Sequence, residues 1–181
     1  MNLFEAIKTR QSIRSYTSAE VEQEKINLLV EAANAAPIFG IIHISVIKDK
    51  DFIQTIGDIT KNMMVGSGNA FAVKQASNPA YNPTYSAPVL MVLSAKGGND
   101  SMGFNIANVS CAAQNILLAA TDLQLASCFV MAPMMSFSDN NIATEANIPS
   151  EFIPLVGVCI GYTNSPLEAR NPASKNNVTY C

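Results

Sequence analysis

From Ser101 to Thr121 the chain runs for twenty-one residues without a charged side chain. That length suits a membrane span. Asn105, Asn108, Ser110, Gln114 and Asn115 interrupt the run, however, and several such groups would be costly in lipid. A helix apolar nearly all round is otherwise a helix buried in protein. The segment is therefore expected as the central helix of a compact fold, covered on one side by a second subunit. A chain of 181 residues suits one domain with a real core. Only 14% of it is charged against 49% apolar, low for a monomer that must solvate its whole surface. The net charge of −3 argues against general nucleic-acid binding.

Along the chain, Leu3, Phe4 and Ile7 share one face of a short helix over residues 2–9. Arg10 to Tyr16 reads as extended. Thr17-Ser18-Ala19-Glu20 has the form of a capping box. The helix it would start carries Ile26, Leu29, Val30 and Ala33 at helical spacing and is bounded by Pro37. Ile41 to Ile47 is rich in β-branched residues and ends at Lys48-Asp49-Lys50, as a strand would. Residues 51–75 read as helical but irregular, because Gly57, Gly66 and Gly68 weaken any single long helix.

A loop is expected over 76–87, then a buried strand from Pro88 to Leu93, closed by Lys96-Gly97-Gly98-Asn99-Asp100. Ala126–Met131 and Pro154–Ile160 read as further strands, with a short helix between them at Asp139–Ala146. Neither an internal repeat nor a linker divides the chain. Residues 1–181 are expected as one α+β domain, with the polar, Asn-rich stretch 171–181 as an extended C-terminal arm.

The first eight residues lack the long apolar core of a signal peptide. Cys111, Cys128, Cys159 and Cys181 are widely spaced, with no C-x-x-C pair, and His43 is the single histidine. No zinc ribbon, disulfide framework or histidine-based metal site is expected. Three buried thiols and one at the terminus, in a reducing cytoplasm, account for the cysteines. Gly66-Ser67-Gly68 is not a dinucleotide fingerprint, since Phe71 occupies the third glycine position and no strand precedes it.

The most informative motif is Arg10-Gln11-Ser12-Ile13-Arg14-Ser15-Tyr16. In an extended segment alternate residues share a face, so Arg10, Ser12 and Arg14 would project together. Two guanidinium groups and a hydroxyl can cradle a phosphate. On spacing alone, a solvated basic turn between two helices explains the segment at least as well.

This segment resembles the N-terminal R-x-S-x-R-x-[FY] signature of the nitroreductase family. Four further blocks follow in the family's order. Ala35-Ala36-Pro37 before a β-rich strand is similar to its A-P-S-x-x-N-x-Q segment. Tyr85-Ser86-Ala87-Pro88 resembles its aromatic-x-A-P strand entry. Asn105 to Leu125 resembles its long central helix, and Ile160-Gly161-Tyr162 its closing G-Y.

The resemblance implies an α+β fold with a mainly antiparallel central sheet flanked by helices, and a long buried central helix at a dimer interface. It implies FMN held between the two subunits of a homodimer, NAD(P)H as co-substrate, and a ping-pong transfer of hydride to a flat small-molecule acceptor such as a nitroaromatic or quinone. Carried over by position, Arg10, Gln11, Ser12 and Arg14 would surround the phosphate and ribityl end. Arg170 stands where the family often places a second basic ligand; it reads equally as an exposed tail arginine. Pro37, Ile38 and Phe39 would line the ring from the partner subunit. Pro133, Met134, Met135 and Ser136 would run beside the flavin, with Met135 or Ser136 offering a backbone N–H to N5. No catalytic side chain is implied, because the cofactor carries the chemistry.

The departures cluster at the flavin loops. The family's polar residues after Pro37 are replaced here by Ile38, Ile41 and His43, each lost hydrogen bond being worth about 1 kcal/mol. The Met134-Met135 pair is more apolar than usual. Residues 66–83 align poorly, so the resemblance does not assign Lys74 or Asn78. Two alternatives therefore stand beside the reductase: the same fold running flavin fragmentation or dehalogenation, and a flavin-binding dimer without turnover.

Overall fold

The computed structural model describes residues 1–97, 101–170 and 177–181. Gly98, Asn99 and Asp100 of the expected turn, and the first six residues of the expected arm, lie outside the described residues.

The chain builds α1 (Leu3–Thr9), α2 (Gln23–Asn34), β1 (Ile42–Ile47), α3 (Lys50–Gly66), α4 (Ala70–Ala76), β2 (Val89–Lys96), α5 (Met102–Asp122), β3 (Ala126–Val130), a 3₁₀ helix (Ala132–Ser138), α6 (Asn140–Glu145) and β4 (Phe152–Gly161). The four strands form one antiparallel sheet in the order β1-β2-β4-β3. Helices α2 and α5 cover one face, where Met91, Leu93, Val158 and Ile160 meet Leu29, Ala113 and Ile116. Helix α3, the 3₁₀ helix and α6 cover the other, where Leu90 and Val92 meet Phe52, Ile56, Phe137 and Ile142. Strand β2 is buried from Val89 to Ala95 because it has a layer on each side, and its unbroken apolar run follows from that position.

Helix α5 takes the central place expected of the uncharged stretch. Val109, Ala112, Ala113, Ile116 and Ala120 are completely buried. Two of its polar residues make tertiary hydrogen bonds: the Asn115 amide donates to the Ala32 carbonyl at 3.0 Å, and Asn108 clamps the chain at Phe39, whereas the buried Asn105 amide nitrogen has no partner among the described residues. Burial is one-sided, however. Phe104 and Ile106 remain exposed on the outer face, and so does Cys111. The expectation of three buried thiols therefore fails at Cys111; only Cys128 and Cys159 are buried. Among the described residues, no helix is long and apolar enough to cross a membrane.

Three local expectations change. The Thr17–Glu20 capping box does not form. Helix α2 begins at Gln23, its cap residue Glu22 makes no side-chain cap bond, and Thr17 instead receives the Ala19 N–H at 3.4 Å. The Thr17 N–H is tied to the Tyr162 carbonyl and Val21 is buried, which keeps this stretch out of the helix. The real capping box lies at Asn2 and Glu5. Gly57 does not interrupt α3, which runs unbroken to Gly66. Residues 132–136, which the resemblance implies as a loop beside the flavin, instead lie in the 3₁₀ helix Ala132–Ser138, with Pro133 in its first turn.

Candidate functional site

Arg10 caps the C-terminus of α1 through its backbone N–H to Ala6, and the chain then runs beside the sheet edge. Ser12 bridges Ser127 of β3 in parallel, and the Ile13 N–H donates to the Ser127 carbonyl at 3.0 Å. With Ile13 turned into the core, Ser12 and Arg14 stay exposed. The extended segment therefore alternates as its sequence suggests.

Both ends of the segment are anchored from far along the chain. A Cβ on Gly161 would lie 2.6 Å from Pro88 Cδ and 2.9 Å from Tyr16 Cδ1, so only glycine lets β4 approach them. The Tyr16 hydroxyl donates to the Ile13 carbonyl at 2.8 Å. At the other end the Gln11 amide donates to the Pro166 carbonyl at 3.2 Å. The Arg170 N–H donates to the Lys8 carbonyl at 2.9 Å.

That last bond carries Arg170 to Arg10. Burial pulls the Arg10 pKa down, and the neighbouring Arg170 charge pulls it further. Arg14 is held the opposite way: its pKa is raised chiefly by side-chain hydrogen bonding with the Tyr85 hydroxyl, and the Tyr85 ring centroid lies 5.8 Å from the guanidinium carbon. Beneath the segment, burial raises the Cys128 thiol, while Arg14, the Ser12 hydroxyl and Arg10 act to lower it. The chain has three arginines, and all three gather at this edge. Among the described residues none of them has a carboxylate oxygen within 4.0 Å.

The same edge continues into the 3₁₀ helix. Pro133 is buried. Met134 turns inward, its Cε 3.1 Å from where a Cβ of Gly157 would sit. Ser136 is fully buried, its hydroxyl donating to the Pro133 carbonyl at 2.8 Å. Met135 is half-exposed.

Pro37, Ile38 and Phe39 lie elsewhere, on the segment that enters β1 at the opposite sheet edge. Asn108 holds that segment from both sides. Its Oδ1 accepts the Phe39 N–H at 2.9 Å, and its Nδ2 donates to the Phe39 carbonyl at 2.6 Å. The Phe39 ring is left 84% exposed. Ile38 packs on the core and Ile41 is exposed. His43 is engaged, with Nε2 3.1 Å from the Asn147 carbonyl and its ring against Phe152. Lys74 is exposed on α4. Asn78 is occupied locally, accepting the Ala80 N–H on its side chain and the Lys61 ammonium on its carbonyl.

One chain therefore brings Arg10, Ser12, Arg14 and Arg170 to one edge, carries Met135 on the 3₁₀ helix that follows that edge strand, and leaves Pro37–Phe39 at the other edge. Two surface clefts of the single chain have no arginine in their walls: one of about 440 Å³ beside Lys50 and Gln54, the other of about 650 Å³ beside Asn140 and Phe152. Sequence reasoning passed over Asn108 and Tyr85 as site-building residues. Asn108 carried a usable signal, because a buried amide in an apolar helix needs a partner.

Among solved structures, the fold matches an FMN-bound nitroreductase of Bacteroides fragilis, 22% identical, with a TM-score of 0.87 over 100% of this chain and 99% of that one. An FMN-bound nitroreductase of Desulfitobacterium hafniense, 20% identical, gives 0.88 over 100% and 99%. A Methanothermobacter thermautotrophicus protein provisionally named NADH dehydrogenase/NAD(P)H nitroreductase is 27% identical over 180 residues, covering 97% of this chain and 82% of that protein. The sequence model of the nitroreductase family matches residues 7–162. That span begins in α1 and ends at Tyr162, beside the glycine that lets β4 reach the arginine segment, and over it the chain belongs to the nitroreductase family.

Proposed function

We propose that the chain is an FMN-dependent oxidoreductase, acting as a homodimer, that takes hydride from NAD(P)H and delivers it by a ping-pong scheme to a flat acceptor such as a nitroaromatic or a quinone. One observation carries this reading: three arginines on one sheet edge, with no carboxylate within 4.0 Å among the described residues. Like charges gathered without a counter-ion favour an anion, and a phosphate monoester of charge about −1.5 to −2 fits the set. The FMN of the Bacteroides and Desulfitobacterium structures and the name of the Methanothermobacter protein support the same reading.

Arg10 and Arg170 would hold the phosphate, with Ser12 and Arg14 along the ribityl side. Bound FMN would supply the redox chemistry, accepting hydride at N5. Of the two residues considered as the N5 donor, half-exposed Met135 suits the role better than Ser136, which is fully buried.

Pro37–Phe39 lie at the β1 edge, four strand spacings, roughly 19 Å, from the Ser12 segment that runs beyond β3. Joining the two halves of the site therefore calls for a second chain. Leu3, Phe4 and Ile7 on α1, and Phe104 and Ile106 on α5, offer exposed apolar surface for it. The absence of a dinucleotide fingerprint suits a scheme in which NAD(P)H and acceptor use the same slot in turn.

Ile38 packs on the core and His43 is engaged by Asn147, so neither offers the flavin a free polar group. This favours, as a second reading, a flavin-binding dimer without turnover. The test is a visible spectrum of protein loaded with FMN and freed of excess, then titrated anaerobically with NADH and with NADPH. Bleaching is expected. A retained flavin that does not bleach would support the second reading, and no retained flavin would sink both.

A further inference from the structure

Tyr85 and Ser86 are successive residues in the left-handed region, at φ 53° and 51°. L residues with side chains adopt this conformation at a cost, and it persists only where the surroundings over-determine it. Here they do. The Asn82 Oδ1 accepts both the Thr84 N–H and the Thr84 hydroxyl at 2.8 Å. Its Nδ2 reaches Ser86 Oγ at 3.2 Å and Gln54 Oε1 of α3 at 3.1 Å. Helix α3 admits Asn82 because residue 57 is glycine: a Cβ there would lie 2.9 Å from the Asn82 Oδ1. One turn further along, the Lys61 ammonium gathers the carbonyls of Asn78, Pro79 and Tyr81 at 3.0, 3.2 and 3.0 Å.

The product of this bracing is the placement of one ring. Tyr85 lies under the Arg14 guanidinium at 5.8 Å, and Tyr81 supports it edge-on at 6.3 Å and 80°. Arg14 is exposed and makes no ion pair among the described residues. Its long side chain would otherwise sample many rotamers, and ordering it on binding would lower affinity. An aromatic face restrains it without neutralising it.

We propose that Tyr85 is a positioning residue: the turn braced by Asn82 against α3 sets its ring under Arg14, so that the guanidinium already faces the FMN site before the cofactor arrives. The proposal rests on the assignment of Arg14 to that site.

The test is a double-mutant cycle on FMN affinity, read by quenching of flavin fluorescence, with the thermal midpoint of each apo-protein measured alongside. Arg14→Ala is expected to weaken binding at least about tenfold. Tyr85→Ala should weaken it by about two- to fivefold in the wild-type background, the scale of an exposed cation–π contact, and leave it unchanged in the Arg14→Ala background. Tyr85→Phe, which keeps the ring but removes the hydroxyl that contacts Arg14, should weaken binding less than Tyr85→Ala does. Tyr85→Leu, which keeps bulk but removes the ring, should behave like Tyr85→Ala and serves if the alanine variant fails to fold. Equal losses in both backgrounds, or a Tyr85→Leu variant that binds as wild type, would overturn the proposal and leave the assignment of Arg14 standing. An Arg14→Ala variant with undiminished affinity would overturn both.

Discussion

Replacing Asn108 by aspartate exchanges one nitrogen for one oxygen in the clamp on Phe39. The Phe39 N–H keeps its acceptor at 2.9 Å, but the Phe39 carbonyl, 2.6 Å from the amide nitrogen in the native chain, then faces a second oxygen. A hydrogen bond is lost, and a carboxylate must be desolvated at a position only 7% exposed. Together these should cost roughly 2 kcal/mol at neutral pH.

By linkage, that cost raises the introduced carboxyl's folded-state pKa by about 1.5 units above an unfolded value of about 3.9. Protonated, the group can again donate to the Phe39 carbonyl. The deficit is therefore nearly absent below about pH 4, grows as the unfolded chain ionises, and levels off above about pH 5.5. Urea unfolding of the apo-protein at fixed concentration, at pH 4 and pH 7.5, measures it. Asn108→Ala is the control, with a deficit of about 2 kcal/mol or more that does not titrate. An Asn108→Asp deficit of equal size at both pH values, or an alanine variant as stable as wild type, would refute the clamp as described.

Three further outcomes follow from the geometry. Gly161→Ala places a carbon 2.6 Å from Pro88 Cδ and 2.9 Å from Tyr16 Cδ1, and should cost about 1–3 kcal/mol by overpacking in the same urea assay. Because Cys128 and Cys159 are buried with raised thiol pKa values, they should resist a thiol reagent until the protein unfolds, while exposed Cys181 reacts in the native state; four equally fast thiols would contradict the packing. Phe4 is 74% exposed in the single chain, so if it lies in the proposed dimer interface, Phe4→Glu should leave the circular dichroism spectrum unchanged yet shift sedimentation from dimer to monomer; a variant that sediments as wild type would take α1 out of the proposed interface.

How far the sequence could be read depended on the range of the interactions involved. The run Val89–Leu93 is a strand with both faces covered, and the alternation around Ile13 survives in the fold because side-chain direction along an extended chain is a local property. The Thr17–Glu20 capping box failed for the converse reason: a local motif lost to Tyr162, which holds the Thr17 N–H from the far end of the domain. Gly57 looked like a weakness in a helix, and is instead the gap through which Asn82 reaches α3.

The sequence by itself determined the periodic elements, the α+β class and, through its motifs, the family, whose resemblance in turn implied the antiparallel sheet; each element and each motif rests on residues near one another in the chain. Tertiary structure alone decided that Arg170 stands beside Arg10, that Met134 turns into the core while Met135 does not, and that Pro37–Phe39 lie across the sheet from the arginines. Those outcomes depend on strand order and close approach between segments up to 160 residues apart, and no local pattern encodes which distant backbone a side chain will meet.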